Sequence, residues 1–268
     1  MGITPPHGWP ASCSFQCLSG FGAADCALES RTPKLEKFSA IQLVVRRLRL
    51  PSVRYRVRGA LIKTENCAKP CAQASKWVLE WIRTLPQAAV ALDFGCGKLR
   101  YTIPLAKRLR AVFAVDSSHQ IFRRQSVNGR YTSVKAYAKN SLPNVHVCSV
   151  GSPRWQRNFD VILCANVLSA IPEQKVRRRV LRGLARRLKA EGVILVCVQF
   201  RNSHFAGWKH NSHAERYKDG WLVENARRTS FYGIISPANL IKVCRNANLN
   251  VIAGGSHGES AFVIAARR

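Results

Sequence analysis

Apolar residues along this chain fall into short unbroken runs separated by stretches of helical period. The runs near 89–94, 112–116, 145–150, 159–164 and 193–199 have strand length and little polar alternation, as strands covered on both faces do. Between them, 99–109, 118–126 and 173–189 carry helical signals. In the last of these, Val176, Val180, Leu184 and Leu188 form an inward stripe, while Arg178, Arg179, Arg182 and Arg186 make a solvated basic face. Regular alternation of strand and helix predicts an α/β fold: a doubly wound, mostly parallel sheet with helices on both faces. A further helix is expected over Ala72 to Arg83, where Trp77/Trp81 and Val78/Ile82 lie four apart, and Pro86 stops it. Ser236-Pro237 has the cap and first-turn chemistry of a helix running to Leu249. Val251–Ala253 and Ala261–Ala265 flank Gly254-Gly255 and Gly258, which predicts two antiparallel closing strands.

The first part of the chain has another character. Residues 1 to about 35 are rich in Pro, Gly, Ser and Cys without a sustained period and read as a loosely ordered leader. Then Val53, Tyr55 and Val57 alternate with Arg54, Arg56 and Arg58. Two readings fit: a basic strand lying on a phosphate backbone, or an edge strand kept soluble by charge. The division expected is a leader and basic segment over 1–58 and a working domain over 59–268.

Composition narrows the class. The chain of 268 residues is 47% hydrophobic, enough for one α/β domain with an appendage. No apolar stretch approaches the roughly 18 residues of a membrane span, and Met1-Gly-Ile-Thr-Pro-Pro6 lacks the signature of a secretory signal. The expected location is the cytoplasm. A net charge of +29 has two readings, a polyanion partner such as nucleic acid or simple compositional bias. Ten cysteines without a secretory signal read as reduced thiols, with Cys148, Cys164 and Cys197 inside strands as small apolar residues. Cys13/Cys17 and Cys67/Cys71 are spaced one residue wider than the usual zinc knuckle, so no metal is expected.

The chemistry concentrates at Val90-Ala-Leu-Asp-Phe-Gly-Cys-Gly-Lys98 and Val112-Phe-Ala-Val-Asp-Ser117. Strand, Gly-x-Gly turn, helix and second strand ending in an acid make a βαβ unit with a nucleoside site at its mouth. Gly95 and Gly97 let the backbone approach a ligand, and Asp116 can accept both hydroxyls of a ribose. No Gly-Lys-Ser/Thr follows, which excludes a P-loop, and Arg100 stands where a dinucleotide fold has its third glycine. Asp93, just ahead of the turn, repels a pyrophosphate and welcomes an ammonium, so a nucleoside bearing an amino acid fits better than a dinucleotide.

These stretches, with Phe159-Asp-Val-Ile-Leu-Cys-Ala-Asn-Val-Leu168 and Leu188-Lys-Ala-Glu-Gly-Val-Ile-Leu195, resemble the class I S-adenosylmethionine-dependent methyltransferases over about 75–268. The resemblance implies seven strands, the last antiparallel, and S-adenosylmethionine as cofactor. By position it implies that Gly95, Cys96 and Gly97 line the cofactor and Asp93 orients its amino-acid end. Asp116 with Ser117 would hold the ribose, and Asn166 would face the transfer cleft. Two departures stand out: Leu99 occupies the place of a common third glycine, and Cys148-Ser149-Val150 lacks the acid often found near adenine, leaving Ser149 as a substitute.

The acceptor is less marked. Amino-directed DNA methyltransferases resemble one another in an Asp/Asn-Pro-Pro-Tyr/Phe motif, whereas this chain reads Ala165-Asn166-Val167-Leu168; Cys164 follows Leu163 rather than the proline of cytosine-carbon enzymes. RNA or a small molecule stays open. His204 and His210 follow the fifth strand as candidate bases, or sit in an exposed loop. Trp221, Phe231 and Tyr232 stack on a flat acceptor or anchor a lid. Competing functions are a basic nucleic-acid-binding protein with a degenerate cofactor fold, motivated by the charge and Leu99, and a dinucleotide oxidoreductase.

Overall fold

Val90–Phe94 is buried along its whole length, because a parallel strand inside a sheet is covered from both sides. A computed structural model of the chain describes residues 54–201, 203–225 and 228–268. The leader, Cys13, Cys17 and Val53 lie outside the described residues. In chain order the strands are β1 (Arg54–Val57), β2 (Ala60–Lys63), β3 (Val90–Phe94), β4 (Ala111–Asp116), β5 (Gln125–Val127), β6 (Arg130–Thr132) and β7 (Val145–Ser149). There follow β8 (Phe159–Ala165), β9 (Leu188–Gln199), β10 (Ala214–Tyr217), β11 (Gly220–Asn225), β12 (Arg228–Gly233), β13 (Leu249–His257) and β14 (Ser260–Arg267). The helices are α1 (Lys76–Thr84), α2 (Thr102–Arg108), α3 (Ser118–Phe122), α4 (Val134–Ser141), α5 (Gln174–Ala185), α6 (Ser203–Gly207) and α7 (Pro237–Arg245).

The main sheet has seven strands in the order β13-β14-β9-β8-β3-β4-β7. Its centre is parallel, and β14 runs antiparallel to both β9 and β13. One face packs against α5 and α7 through Leu181, Leu184 and Leu240. The other packs against α1 and α2 through Val78, Ile82 and Leu105, and against α4 through Val134 and Ala138. The doubly wound sheet expected from the alternating runs is therefore present, with the reversed strand at its C-terminal side.

Three local differences have physical causes. α3 stops at Phe122, because the Gln125–Thr132 stretch turns back as the β5–β6 hairpin through Asn128 and Gly129, both at positive φ. α5 ends at Ala185, and Leu188, expected on its inward stripe, instead begins β9 opposite Phe159. Ser133 caps α4, an element between the second and third strands that the apolar runs do not mark.

A second sheet, ordered β1-β2-β12-β11-β10, joins residues from opposite ends of the chain. β1 is its edge, with Arg56 and Arg58 exposed and Val57 buried against Ile62, Leu222 and Phe231. The alternation of Tyr55 and Val57 with arginines thus belongs to an edge strand, and hairpin β1–β2 spans the boundary expected at 58. This sheet is tied to the main one by Arg177 of α5. Its guanidinium is buried, bonds both carboxylate oxygens of Asp219 in the β10–β11 region, donates from Nε to the Ile171 carbonyl at 2.7 Å, and lies over the Phe231 ring.

No helix among the described residues is long and apolar enough to cross a membrane. The seven described cysteines are free, and no group of metal-binding side chains is assembled among the described residues.

Removing the buried guanidinium leaves the Ile171 carbonyl and the partly exposed Asp219 carboxylate without their donor. Arg177→Ala is therefore expected to lower unfolding free energy by about 3 kcal/mol, read from urea unfolding. A loss below about 1 kcal/mol would mean that the latch carries little.

Candidate active site

The carboxyl ends of β3, β4, β7 and β8 open into one cavity. Its floor is the turn after β3. Gly95 and Gly97 have φ of +78° and +55°, and a Cβ on Gly95 would lie 2.3 Å from Val167 Cγ2. Both conditions restrict that position to glycine. The amides of Gly95 and Cys96 donate to the Val115 carbonyl at 2.8 and 3.2 Å, which ties the turn to β4.

Asp116 ends β4. Its carboxylate accepts from the Gly97 amide at 2.8 Å and from the Ser117 amide at 2.7 Å. A carboxylate has about four lone-pair positions, so acceptor capacity remains for a ligand. Ser117 is the N-cap of α3, its hydroxyl accepting from the Gln120 amide. Asp93 is buried and takes a hydrogen bond from the Thr102 hydroxyl at 2.5 Å. Burial pushes Asp93 up to about 6, opposed by Thr102 and Arg100. Asp116 also rises to about 6 through burial, opposed by the two amides.

Asn166 follows β8 at φ +60°; its amide donates to the Cys197 carbonyl at 2.8 Å, and its Oδ1 is buried without a partner. Asp93, Gly95, Cys96, Gly97, Asp116, Ser117 and Asn166 all line this one cavity. Ser149 does not; Val150 takes its place on the wall, and the Ser149 carbonyl accepts from the Ser152 amide. The thiol of Cys96 packs inward with Leu99 and Ala114, so Cys96 meets the cavity beside a structural side chain.

The acceptor candidates lie elsewhere. Phe231 is fully buried among Val57, Ile62 and Leu222, and Trp221 is buried beneath Arg216. Tyr232 is half-buried, tilted against Trp208. None of the three lines the cavity. His210 is exposed in the turn Trp208–His210, and His204 lies in α6.

Other lining residues carry no sequence signal: Glu65 and Lys69 from the segment after β2, and Arg100 and Tyr101 after the glycine turn. Glu65 and Lys69 stand about thirty residues upstream of the turn in a stretch without periodicity. Only the fold brings them over it, where a Cβ on Gly97 would lie 3.4 Å from the Ala68 Cβ.

Residues 92–194 match a family described as a methyltransferase domain. The uncharacterized protein YmfD of Escherichia coli is 30% identical over 213 residues, spanning 79% of this chain and 95% of that protein. The chain carries a methyltransferase domain with the class I fold. Among solved structures, the PH0226 protein of Pyrococcus horikoshii is similar at a TM-score of 0.57 and 16% identity, covering 73% of this chain and 93% of that one. An S-adenosylmethionine-dependent methyltransferase of Clostridium acetobutylicum reaches 0.51 at 13% identity, with the same coverages of 73% and 93%. These likenesses concern the fold. With this domain the protein is an enzyme, S-adenosylmethionine is its cofactor, and methyl transfer is its reaction. Nothing in the comparisons supports a degenerate nucleic-acid-binding protein.

Leu99, the departure from the family's glycine pattern, has φ +66° and a fully buried side chain packed with Cys96, Val127 and Val134. It keeps the left-handed turn and points into the core rather than the cavity. The strain of that conformation, about 1–2 kcal/mol, is offset by burial of the isobutyl group.

Two outcomes follow from this geometry. Leu99→Ala is expected to destabilise by about 2–5 kcal/mol, with Leu99→Gly within about 1 kcal/mol of it because glycine relieves the strain. A Leu99→Gly protein more stable than the parent would contradict this. Asp116 supplies the second. Its pKa is raised above the unfolded value near 3.9, so the folded chain holds a proton that the unfolded chain releases between about pH 4 and 6. This contribution is present below pH 4 and lost as pH rises through 6. Relative to Asp116→Asn, the cofactor-free parent is expected to lose stability from pH 4 to 7 in urea titrations; a pH-independent difference would contradict it.

Proposed function

We propose that the cavity seats S-adenosylmethionine across the glycine turn and that the enzyme methylates an acceptor carrying negative charge, an RNA or an anionic small molecule. The observation that carries the cofactor's seat is Asp116: held by two backbone amides, it keeps acceptor capacity facing the cavity beside a turn restricted to glycine. The residues fit the group. Gly95, Cys96 and Gly97 would pass under the nucleoside, Asp116 and the Ser117 backbone would hold the ribose, and Val150 with Ser149 behind it would border the adenine. Asp93 and the orphaned Asn166 Oδ1 would receive the ammonium and face the transferring methyl, and Lys69, Lys98 or Arg100 would meet the carboxylate.

When bound, the cofactor supplies a methyl already activated on sulfur, so the chain's own work is to hold an acceptor in line with it. The buried carboxylates favour a cationic group at one end. His204 or His210, after the carboxyl end of β9, is the proposed base where the acceptor must lose a proton. Of the three aromatic candidates we assign acceptor contact to Tyr232, which lies outside the cavity but against Cys67, a residue of its wall, with Trp221 and Phe231 supporting its sheet. The net charge of +29 supports an anionic acceptor. A cytoplasmic location is part of this proposal.

The enzyme would be incubated with methyl-labelled S-adenosylmethionine and a fractionated cell extract. Label is expected in RNA or in anionic metabolites, and Asp116→Ala is expected to cut incorporation about 10²-fold, the equivalent of two hydrogen bonds to a charged group. Label confined to protein or neutral metabolites would overturn the acceptor; an unaffected Asp116→Ala enzyme would overturn the ribose assignment.

A further inference from the structure

Glu65 lies in the turn Thr64–Cys67, a segment that crosses over Gly97 and contributes to the cavity wall. Its side chain is only 4% exposed, and neither carboxylate oxygen has a hydrogen-bond partner. A carboxylate is an acceptor with no donor of its own unless protonated, and burying one without a donor is strongly unfavourable. Buried polar groups in folded proteins are almost always bonded. A group left so, on a residue of a ligand cavity's wall, is most simply one that a ligand completes.

Its surroundings say which ligand atoms. Arg123 anchors the turn: one guanidinium nitrogen donates to the Glu65 carbonyl at 3.2 Å and to Gln120 Oε1 at 2.5 Å, while Arg123 Nε is buried and unpartnered. Arg123 therefore fixes the backbone that carries Glu65 without bonding its carboxylate. Asp116 faces the same cavity, close enough that the Glu65 charge helps to raise its pKa. Two carboxylates lining one cavity repel unless donors stand between them. A vicinal diol supplies two hydroxyl donors at adjacent atoms. An ammonium is provided for elsewhere, since Asp93 and the Asn166 amide oxygen lie at the β3 and β8 ends of the wall.

We propose that Glu65 is a second ribose-binding carboxylate: one hydroxyl of the cofactor's ribose donates to Asp116 and its neighbour to Glu65, so that the Thr64–Lys69 segment closes the nucleoside end of the cavity. This rests on the cofactor seat proposed above. It also gives the short segment after β2 a role that its lack of sequence pattern conceals, and makes the second sheet, which carries that segment, part of the cofactor site.

Calorimetric titration with S-adenosylhomocysteine and with its 2′-deoxy and 3′-deoxy analogues tests it on the full chain. The parent is expected to bind S-adenosylhomocysteine, and Glu65→Gln to bind it about tenfold more weakly. Against one of the two deoxy analogues, the one lacking the hydroxyl that Glu65 holds, parent and Glu65→Gln should bind within about twofold of each other. Equal affinity of parent and variant for S-adenosylhomocysteine would overturn the role of Glu65. So would an equal loss for all three ligands, which marks a merely structural side chain. A parent that binds none of them would instead overturn the cofactor seat itself. If Glu65→Gln does not fold, Glu65→Asp, which keeps the charge on a shorter arm, is read with the same ligands and is expected to lose affinity selectively in the same pattern; a uniform loss or none would overturn the proposal.

Discussion

The site depends on one contact, the Gly97 amide donating to the Asp116 carboxylate. It joins the turn after β3 to the end of β4, so the glycine backbone and the acid proposed to hold the ribose are positioned by the same bond. Everything around it serves to make that contact possible. Val115 uses its carbonyl to hold Gly95 and Cys96, Val167 fills the space that a side chain on Gly95 would need, and Leu99 ends the turn in a left-handed conformation stabilised by its own burial. A parallel pair of strands supplies the rigidity, and the helix and loop that follow supply the exposed chemistry.

Burial governs the electrostatics as well. Asp93 and Asp116 are pushed up to about 6 mainly because they are removed from water, and Glu65 adds a third carboxylate to the same wall. Such a cluster is unfavourable in an empty protein and favourable around a ligand that brings hydroxyl donors and positive charge. Lys69 and Arg100 sit at its margin, and Lys69 is itself held below its ordinary pKa by burial and by Arg100. The cavity thus carries both acids and cations, as a ligand with an ammonium, a carboxylate and a sugar requires.

The main sheet was legible because its strands are buried on both faces, which leaves continuous apolar runs that polar segments cannot imitate. The glycine turn, Asp93, Asp116 and Asn166 were legible because they stand at the ends of those runs. The second sheet was not: its strands are short, half-exposed and paired across the length of the chain, as Ile62 is with Thr229. Glu65 and Lys69 inherit that obscurity. Arg177 was hidden among the arginines of α5, since periodicity separates inward from outward positions but does not say that one inward arginine has Asp219 waiting for it. Phe231 and Trp221 show the converse, aromatic residues whose composition suggests stacking and whose position is the core of a sheet.

The central claim is that the cofactor's nucleoside lies across the Gly95–Gly97 turn with its ribose on Asp116. A crystal structure of the protein with S-adenosylhomocysteine tests it most directly. The ribose hydroxyls are expected within hydrogen-bond distance, about 2.5–3.0 Å, of Asp116, with the Gly97 amide still bonded to the same carboxylate. A nucleoside bound elsewhere, or a ribose facing away from Asp116, would contradict the account.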